Sequence, residues 1–137
     1  MTLIDTNVLL DIVTADPVWA DWSIRQLDAA ALRGPLAIND VAYAEMSVRF
    51  ARIERLDDFL TGAEILLTSI PRPALFLAAK VFQRYRAAGG TRTGVLPDFF
   101  IGAHAAVVDV PLLSRDTRRY GAYFPTLRLI APSSSGP

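Results

Sequence analysis

The chain has 137 residues, 52% of them hydrophobic and 20% charged, with no cysteine and a formal net charge of zero. That is enough for one domain with a real core, and too apolar for a disordered chain. Absent cysteine excludes disulfides, thiolate metal sites and cysteine nucleophiles, and no apolar run approaches the ~20 residues that span a bilayer.

In chain order, Thr2-Leu3-Ile4 reads as a short apolar strand with Asp5 at its carboxyl end. Asp16-Pro17 is a helix start, an N-cap followed by proline at the first helical position. Ala20, Ile24, Leu27 and Ala31 then recur at helical spacing, and Gly34-Pro35 closes the run. Leu36-Ala37-Ile38 is a second strand, and Asp40 can cap the helix whose first turns hold Glu45. A further helix is expected over residues 56–66, and Thr68-Ser69-Ile70 is a weak third strand ahead of Pro71 and Pro73.

Leu75, Ala78, Ala79, Phe82 and Tyr85 form a helical stripe. Gly89-Gly90-Thr91-Arg92-Thr93-Gly94 is a loop, and Pro97-Asp98 opens an apolar helix to about Val108. Two last strands, Leu112-Leu113-Ser114 and Leu127-Arg128-Leu129-Ile130, flank a short segment rich in Arg and Tyr. Residues 1–132 are expected to form one domain and residues 133–137 a flexible tail. The first residues lack a basic stretch followed by an apolar one, so the expected location is cytoplasmic.

Strands alternating with helices predict an α/β fold with a mainly parallel sheet covered on both faces. Such sheets bind ligands outside the carboxyl ends of their strands. Asp5 and Asp116 directly follow strands, while Glu45 and Asp98 lie in the opening turns of helices, so all four can share one edge. Each interrupts an apolar setting, where a carboxylate is rare unless paired or bound to metal. An oxygen-only set without His or Cys suits Mg²⁺ rather than zinc. The commonest employment of such a site is phosphoryl chemistry, in which the cation activates water and neutralises phosphodiester charge. Setting the four aside leaves ten acidic residues against fourteen basic ones, thirteen of them Arg, which suits phosphate contacts.

Other nucleotide chemistries lack their residues. Gly89 and Gly94 have P-loop spacing, but Val95-Leu96 stands where Lys and Ser or Thr are required. No glycine-rich dinucleotide fingerprint follows the first strand. A phospho-receiver would need a placed lysine, and the one lysine, Lys80, falls within the helical stripe.

The order Asp5-Thr6-Asn7, Glu45, Pro97-Asp98 and Ser114-Arg115-Asp116 resembles the PIN-domain ribonucleases, and within them the VapC-type toxins of bacterial toxin–antitoxin modules. The resemblance runs from Thr2 to about Pro132. It implies a three-layer α/β/α fold in which Asp5, Glu45, Asp98 and Asp116 bind Mg²⁺, with Mn²⁺ a possible substitute. Asn7 would order the first loop, and Ser114 would stand near the metal. It further implies metal-dependent endoribonuclease activity on an RNA substrate, a cognate antitoxin as partner and a homodimer. An antitoxin segment is expected on apolar helices such as the one over residues 75–85. A non-catalytic RNA-binding or regulatory module, and a housekeeping RNA-processing nuclease, are the alternatives.

Simpler roles stand beside these. Asp5 and Asp98 could serve as helix caps and Asp116 as a turn residue, while Asp11, Asp40 and Asp109 read as caps or turns. His104, the only histidine, is expected to be structural, and Trp19 and Trp22 to pack or meet a partner. Arg92, Arg115, Arg118 and Arg119 are candidates for RNA phosphate, with Tyr120 and Tyr123 available for base stacking.

Overall fold

The computed structural model describes residues 1–92 and 94–137. Thr93, part of the loop expected to touch RNA, lies outside the described residues. Among the described residues, five strands form one parallel sheet: β1 (Thr2–Ile4), β2 (Leu36–Asn39), β3 (Ile65–Thr68), β4 (Leu112–Leu113) and β5 (Leu129–Ile130), in the order β3-β2-β1-β4-β5. Every residue of β1 and β2 is buried. Because successive strand residues point to opposite faces, the sheet centre is covered on both sides, as an all-parallel sheet requires.

Among the described residues, seven helices make the covering layers: α1 (Thr6–Val13), α2 (Ala20–Arg33), α3 (Asp40–Ser47), α4 (Ile53–Gly62), α5 (Arg72–Ala87), α6 (Leu96–Val108) and α7 (Arg118–Tyr123). α1 packs on α2 and α3, and α6 on α5 and α3. The chain builds β2 and β3 to one side of β1 and β4 and β5 to the other. The change of direction falls at β1, where β4 pairs Leu3 with Leu112 and Ile4 with Leu113. A crevice at that switch point is where such folds place their ligands.

Several boundaries differ from those read in the sequence, each for a local reason. α1 follows Asp5 directly; its Val8-Leu9-Leu10 run is apolar without a stripe, so periodicity does not mark it as a helix. Asp16 does cap, but over a preceding turn: Oδ1 accepts from the N–H groups of Val18 at 2.9 Å and Trp19 at 2.8 Å, and α2 proper begins at Ala20. The cap of α3 is Asn39, whose Oδ1 accepts from the Ala42 N–H at 3.0 Å, and not Asp40, which is the first helical residue.

The helix expected over residues 56–66 is instead α4, and it stops early because Glu64 takes a left-handed φ of 56°. Ile65-Leu66-Leu67 then enters the sheet as β3, displacing the strand expected at 68–70. Short leucine-rich runs fit either state, and only pairing with β2 decides. Asp109 ends α6 at a left-handed φ of 57°, which is a turn role. Residues Ser133 and Gly136 form an isolated bridge.

Candidate active site

The core of the site is set by two adjacent strands. β1 and β4 end side by side, so Asp5 and Ser114, each the first residue beyond its strand, meet. The Asp5 N–H donates to the Leu113 carbonyl at 2.9 Å, and Ser114 Oγ donates to Asp5 Oδ2 at 2.7 Å. The Tyr120 hydroxyl, brought in by α7, donates to the same oxygen at 3.0 Å. Asp5 is 3% exposed and makes no side-chain capping bond to α1, so capping does not explain it. Burial pushes its carboxyl up to about 6, against the lowering effect of the Ser114 and Tyr120 hydroxyls, and the Glu45 charge adds to the rise.

Ser114 is fully used. Its hydroxyl donates to Asp5 and accepts from the Asp116 N–H at 2.9 Å and from Asn7 Nδ2 at 3.4 Å, the one donor and two acceptors a hydroxyl has. Asn7 Oδ1 also accepts from the Arg115 N–H at 3.3 Å. Asn7 therefore ties the first turn of α1 to the β4–α7 loop.

Two of the other carboxylates arrive on helices, and Asp116 on the loop between β4 and α7. Glu45, on the second half of α3, has Oε1 held by the Thr6 hydroxyl at 2.7 Å. Asp116 Oδ1 accepts from the Arg119 N–H at 3.0 Å, which steadies the start of α7. Asp98, in the first turn of α6, is partly buried and ion-paired through Oδ2 with Arg119 Nη1; the same Nη1 lies 3.5 Å from Asp116 Oδ2. Burial lifts the Asp98 carboxyl to about 7; the Asp5, Glu45 and Asp116 charges push the same way, and Arg119 opposes them.

Each carboxylate thus has an oxygen committed inside the protein, and Asp116 has both oxygens engaged by Arg119, Oδ1 by its backbone N–H and Oδ2 by its guanidinium. Among the described residues, no three acidic or histidine side chains are drawn up close enough to chelate one ion. Arg119 supplies the positive charge at this centre. The donor chemistry nonetheless fits a hard divalent cation. All four groups are oxygen donors, and burial, with a smaller contribution from neighbouring carboxylates, raises two of the carboxyls, a rise that a cation would oppose.

Of the four arginines considered for RNA, Arg92 and Arg118 are exposed. Arg119 faces the carboxylates, and Arg115 faces away from them. Arg115 Nε lies 2.8 Å from Asp11 Oδ2 without the alignment of a hydrogen bond, and its guanidinium rests over the Trp19 ring at 5.0 Å. Asp11 is therefore no cap or turn residue. It is buried, and Ser23 Oγ also donates to its Oδ2 at 2.9 Å. Tyr120 is wholly buried and presents no face for a base, while Tyr123 keeps partial exposure.

His104 is structural. Asn39 Oδ1 is taken by the α3 backbone, so Asn39 Nδ2 donates to His104 Nδ1 at 3.2 Å and the ring is held neutral. Burial lowers its pKa, though Asp40 opposes this. The bond joins the start of α3 to α6, the helices carrying Glu45 and Asp98. Trp19 and Trp22 pack edge to face at 5.7 Å.

Two contributors escaped the sequence reading. Thr6 and Tyr120 carry no signal as ligand holders, because a hydroxyl's partner 39 or 115 residues away depends on the assembled sheet.

Residues 2–124 match the PIN domain family. No curated protein sequence matches the chain. Among solved structures, VapBC2 from Rickettsia felis, described as bound to a DNA fragment from its promoter, superposes with a TM-score of 0.73 at 18% identity, covering 96% of this chain and 98% of that one. A toxin–antitoxin complex from Klebsiella pneumoniae gives 0.68 at 22% identity, covering 97% and 98%. VapBC-1 from nontypeable Haemophilus influenzae gives 0.69 at 15%, covering 95% and 96%. At these identities the likeness to the solved structures is one of fold.

Proposed function

We propose, from the premise that this chain belongs to the PIN-domain family, that it is a divalent-metal-dependent endoribonuclease serving as the toxin of a toxin–antitoxin pair. Asp5, Glu45, Asp98 and Asp116 would hold Mg²⁺, with Mn²⁺ able to replace it. The observation that supports this reading is the gathering of oxygen-donor side chains at the carboxyl edge of the sheet, close enough that the Glu45 charge bears on both Asp5 and Asp98. Burying carboxylates and grouping them in this way costs stability, and such groups cluster at functional sites.

The bound cation would supply an activated water and charge neutralisation at the phosphodiester. The chain's own residues do the rest. Ser114 and Tyr120 fix Asp5 Oδ2, and Thr6 fixes Glu45 Oε1, which leaves the opposite oxygens directed by rigid partners. Arg118 and Arg92, both exposed, are suited to neighbouring phosphates, and Tyr123 to a base.

A partner surface is also at hand. A cleft of about 370 Å³ between α1, α2, α4 and β3 is lined by Ile12, Ile24, Leu27, Phe59 and Ile65, with Asp28 and Glu64 at its edge. An amphipathic antitoxin helix with apolar anchors and basic flanks suits it better than the α5 face expected from sequence. The solved structures named above are toxin–antitoxin complexes, which supports a partner of that kind.

The test is to sequence RNA ends after brief expression of the chain, alone and with the product of the adjacent gene. Discrete new ends that vanish on co-expression are expected. New ends that persist beside the neighbour's product would point to a housekeeping nuclease. The absence of new ends would favour a non-catalytic RNA-binding module.

A further inference from the structure

The basic side chain that enters the acidic centre is Arg119. Its Nη1 serves Asp98 and Asp116 together. Its backbone is anchored by Asp116 Oδ1 at 3.0 Å, so the guanidinium can turn while the Cα stays in place. Arg119 also lines a cavity of about 240 Å³ with Asp116, Arg118, Ala122 and Tyr123, immediately beside the carboxylates. The neighbouring Arg115 is committed to Asp11 and Trp19, and Arg118 is exposed.

We propose that Arg119 is a resident counter-ion that competes with the divalent cation for Asp98 and Asp116, and that its guanidinium turns into the adjoining cavity when the cation takes its place. This rests on the metal-binding reading above. Arg119 Nη1 sits against Asp98 Oδ2, and a cation drawn to the same carboxylates is repelled by that charge, so each positive group weakens the binding of the other. This competition weakens the apparent metal affinity, and the resident charge spares the metal-free protein the full repulsion of its carboxylates. Asp5, by contrast, is held by neutral hydroxyls, which present no such competition. Once displaced, the guanidinium lies in a cavity shared with Arg118 and Tyr123, where it can meet an RNA phosphate.

The test is direct Mn²⁺ binding to the whole chain without RNA, read from the paramagnetic resonance of free Mn²⁺. Arg119→Gln is expected to bind Mn²⁺ about tenfold tighter than wild type or more, a gain of ~1.4 kcal/mol. Arg119→Met, with similar reach and no charge, repeats the measurement should the first variant fold poorly. Arg118→Gln removes the same charge from an exposed neighbour and should stay within about threefold of wild type, because exposed charges are screened. In chelator, Arg119→Gln should melt below wild type, and Mn²⁺ should raise its midpoint by more.

Wild type that binds Mn²⁺ while the Arg119 variants bind no tighter would overturn the competition and leave the metal centre standing. Equal tightening by Arg118→Gln would replace competition with a general field effect. Failure of every protein to bind would remove the metal reading and this proposal together.

Discussion

Asp5 and Asp98 belong to one acidic centre, where the Asp5 charge bears on Asp98, and are held by opposite means. Asp5 is buried between β1 and β4, and both bonds to its Oδ2 come from neutral hydroxyls. Asp98 is partly exposed on α6, and its Oδ2 is met by a full positive charge on Arg119. Neutral donors orient a carboxylate without cancelling its charge, so they leave it able to attract a cation. A guanidinium offsets the charge and so weakens the pull of that carboxylate on any other cation. The hydroxyl side is therefore built as a fixed wall and the arginine side as an adjustable one.

The hardest break is Asp5→Asn, which keeps the shape of the fixed wall and removes its charge. Cleavage is expected to fall roughly a thousandfold or more, since each ~1.4 kcal/mol of transition-state stabilisation is tenfold. RNA affinity should fall far less, because arginine–phosphate contacts carry it. Rate and binding measured on one RNA check the split. An equal loss in both would place Asp5 in binding or folding instead.

Titration compares the two sides without mutation. In chelator, Asp5 and Asp98 hold protons in the folded chain, at about 6 and about 7, that the unfolded chain gives up near 3.8. The folded state therefore binds more protons through that window, and stability falls as pH rises from about 4 to 7. Asp5, shifted by about two units, contributes on the order of 3 kcal/mol of that fall. Urea midpoints taken across the window should decline in chelator and flatten with Mg²⁺ present. A rising or flat profile in chelator would contradict the crowding.

The fixed wall also has a remote support in Gly102 on α6. A Cβ there would come within 2.6 Å of the Phe124 ring and 3.0 Å of the Tyr120 ring, both buried, so neither can give way cheaply. Gly102→Ala is expected to destabilise by about 1–3 kcal/mol through overpacking. It should also weaken Mn²⁺ binding by shifting Tyr120 from Asp5. Denaturant melts and metal titration together check this, and unchanged values in both would show that α7 moves freely.

The smallest effect is expected from Tyr120→Phe. Losing one donor to Asp5 should cost about 1 kcal/mol, more at alkaline than at acid pH because the bond is stronger to the ionised form. The hydroxyl lowers the Asp5 pKa, so its removal should move the acid limb of the cleavage profile upward at limiting Mg²⁺. A profile identical to wild type would show that Ser114 alone orients the carboxylate.

How far the sequence reached follows the same division. The position of Asp5 was legible because it ends an apolar strand, and that of Asp98 because Pro97 marks the start of its helix, whereas Asp116 lies in a loop beyond β4, which stops at Leu113. The parallel α/β class followed from strands alternating with helices, whereas α4 and β3 were misplaced because a leucine-rich run obeys neither period. Asp11 read as a turn residue because its partners are Ser23 and Arg115, the latter brought near only by the β1–β4 pairing. Tyr120 and Arg119 looked like RNA-facing neighbours of Asp116. Helical geometry turns one into the core and the other onto the carboxylates, and only the placement of α7 reveals which.

The most direct test of the central claim is the initial rate of RNA cleavage by the purified chain as Mg²⁺ is titrated from excess chelator to saturation. The account predicts no cleavage in chelator, a saturable rise with Mg²⁺, and restoration by Mn²⁺. Cleavage at full rate in excess chelator would contradict it.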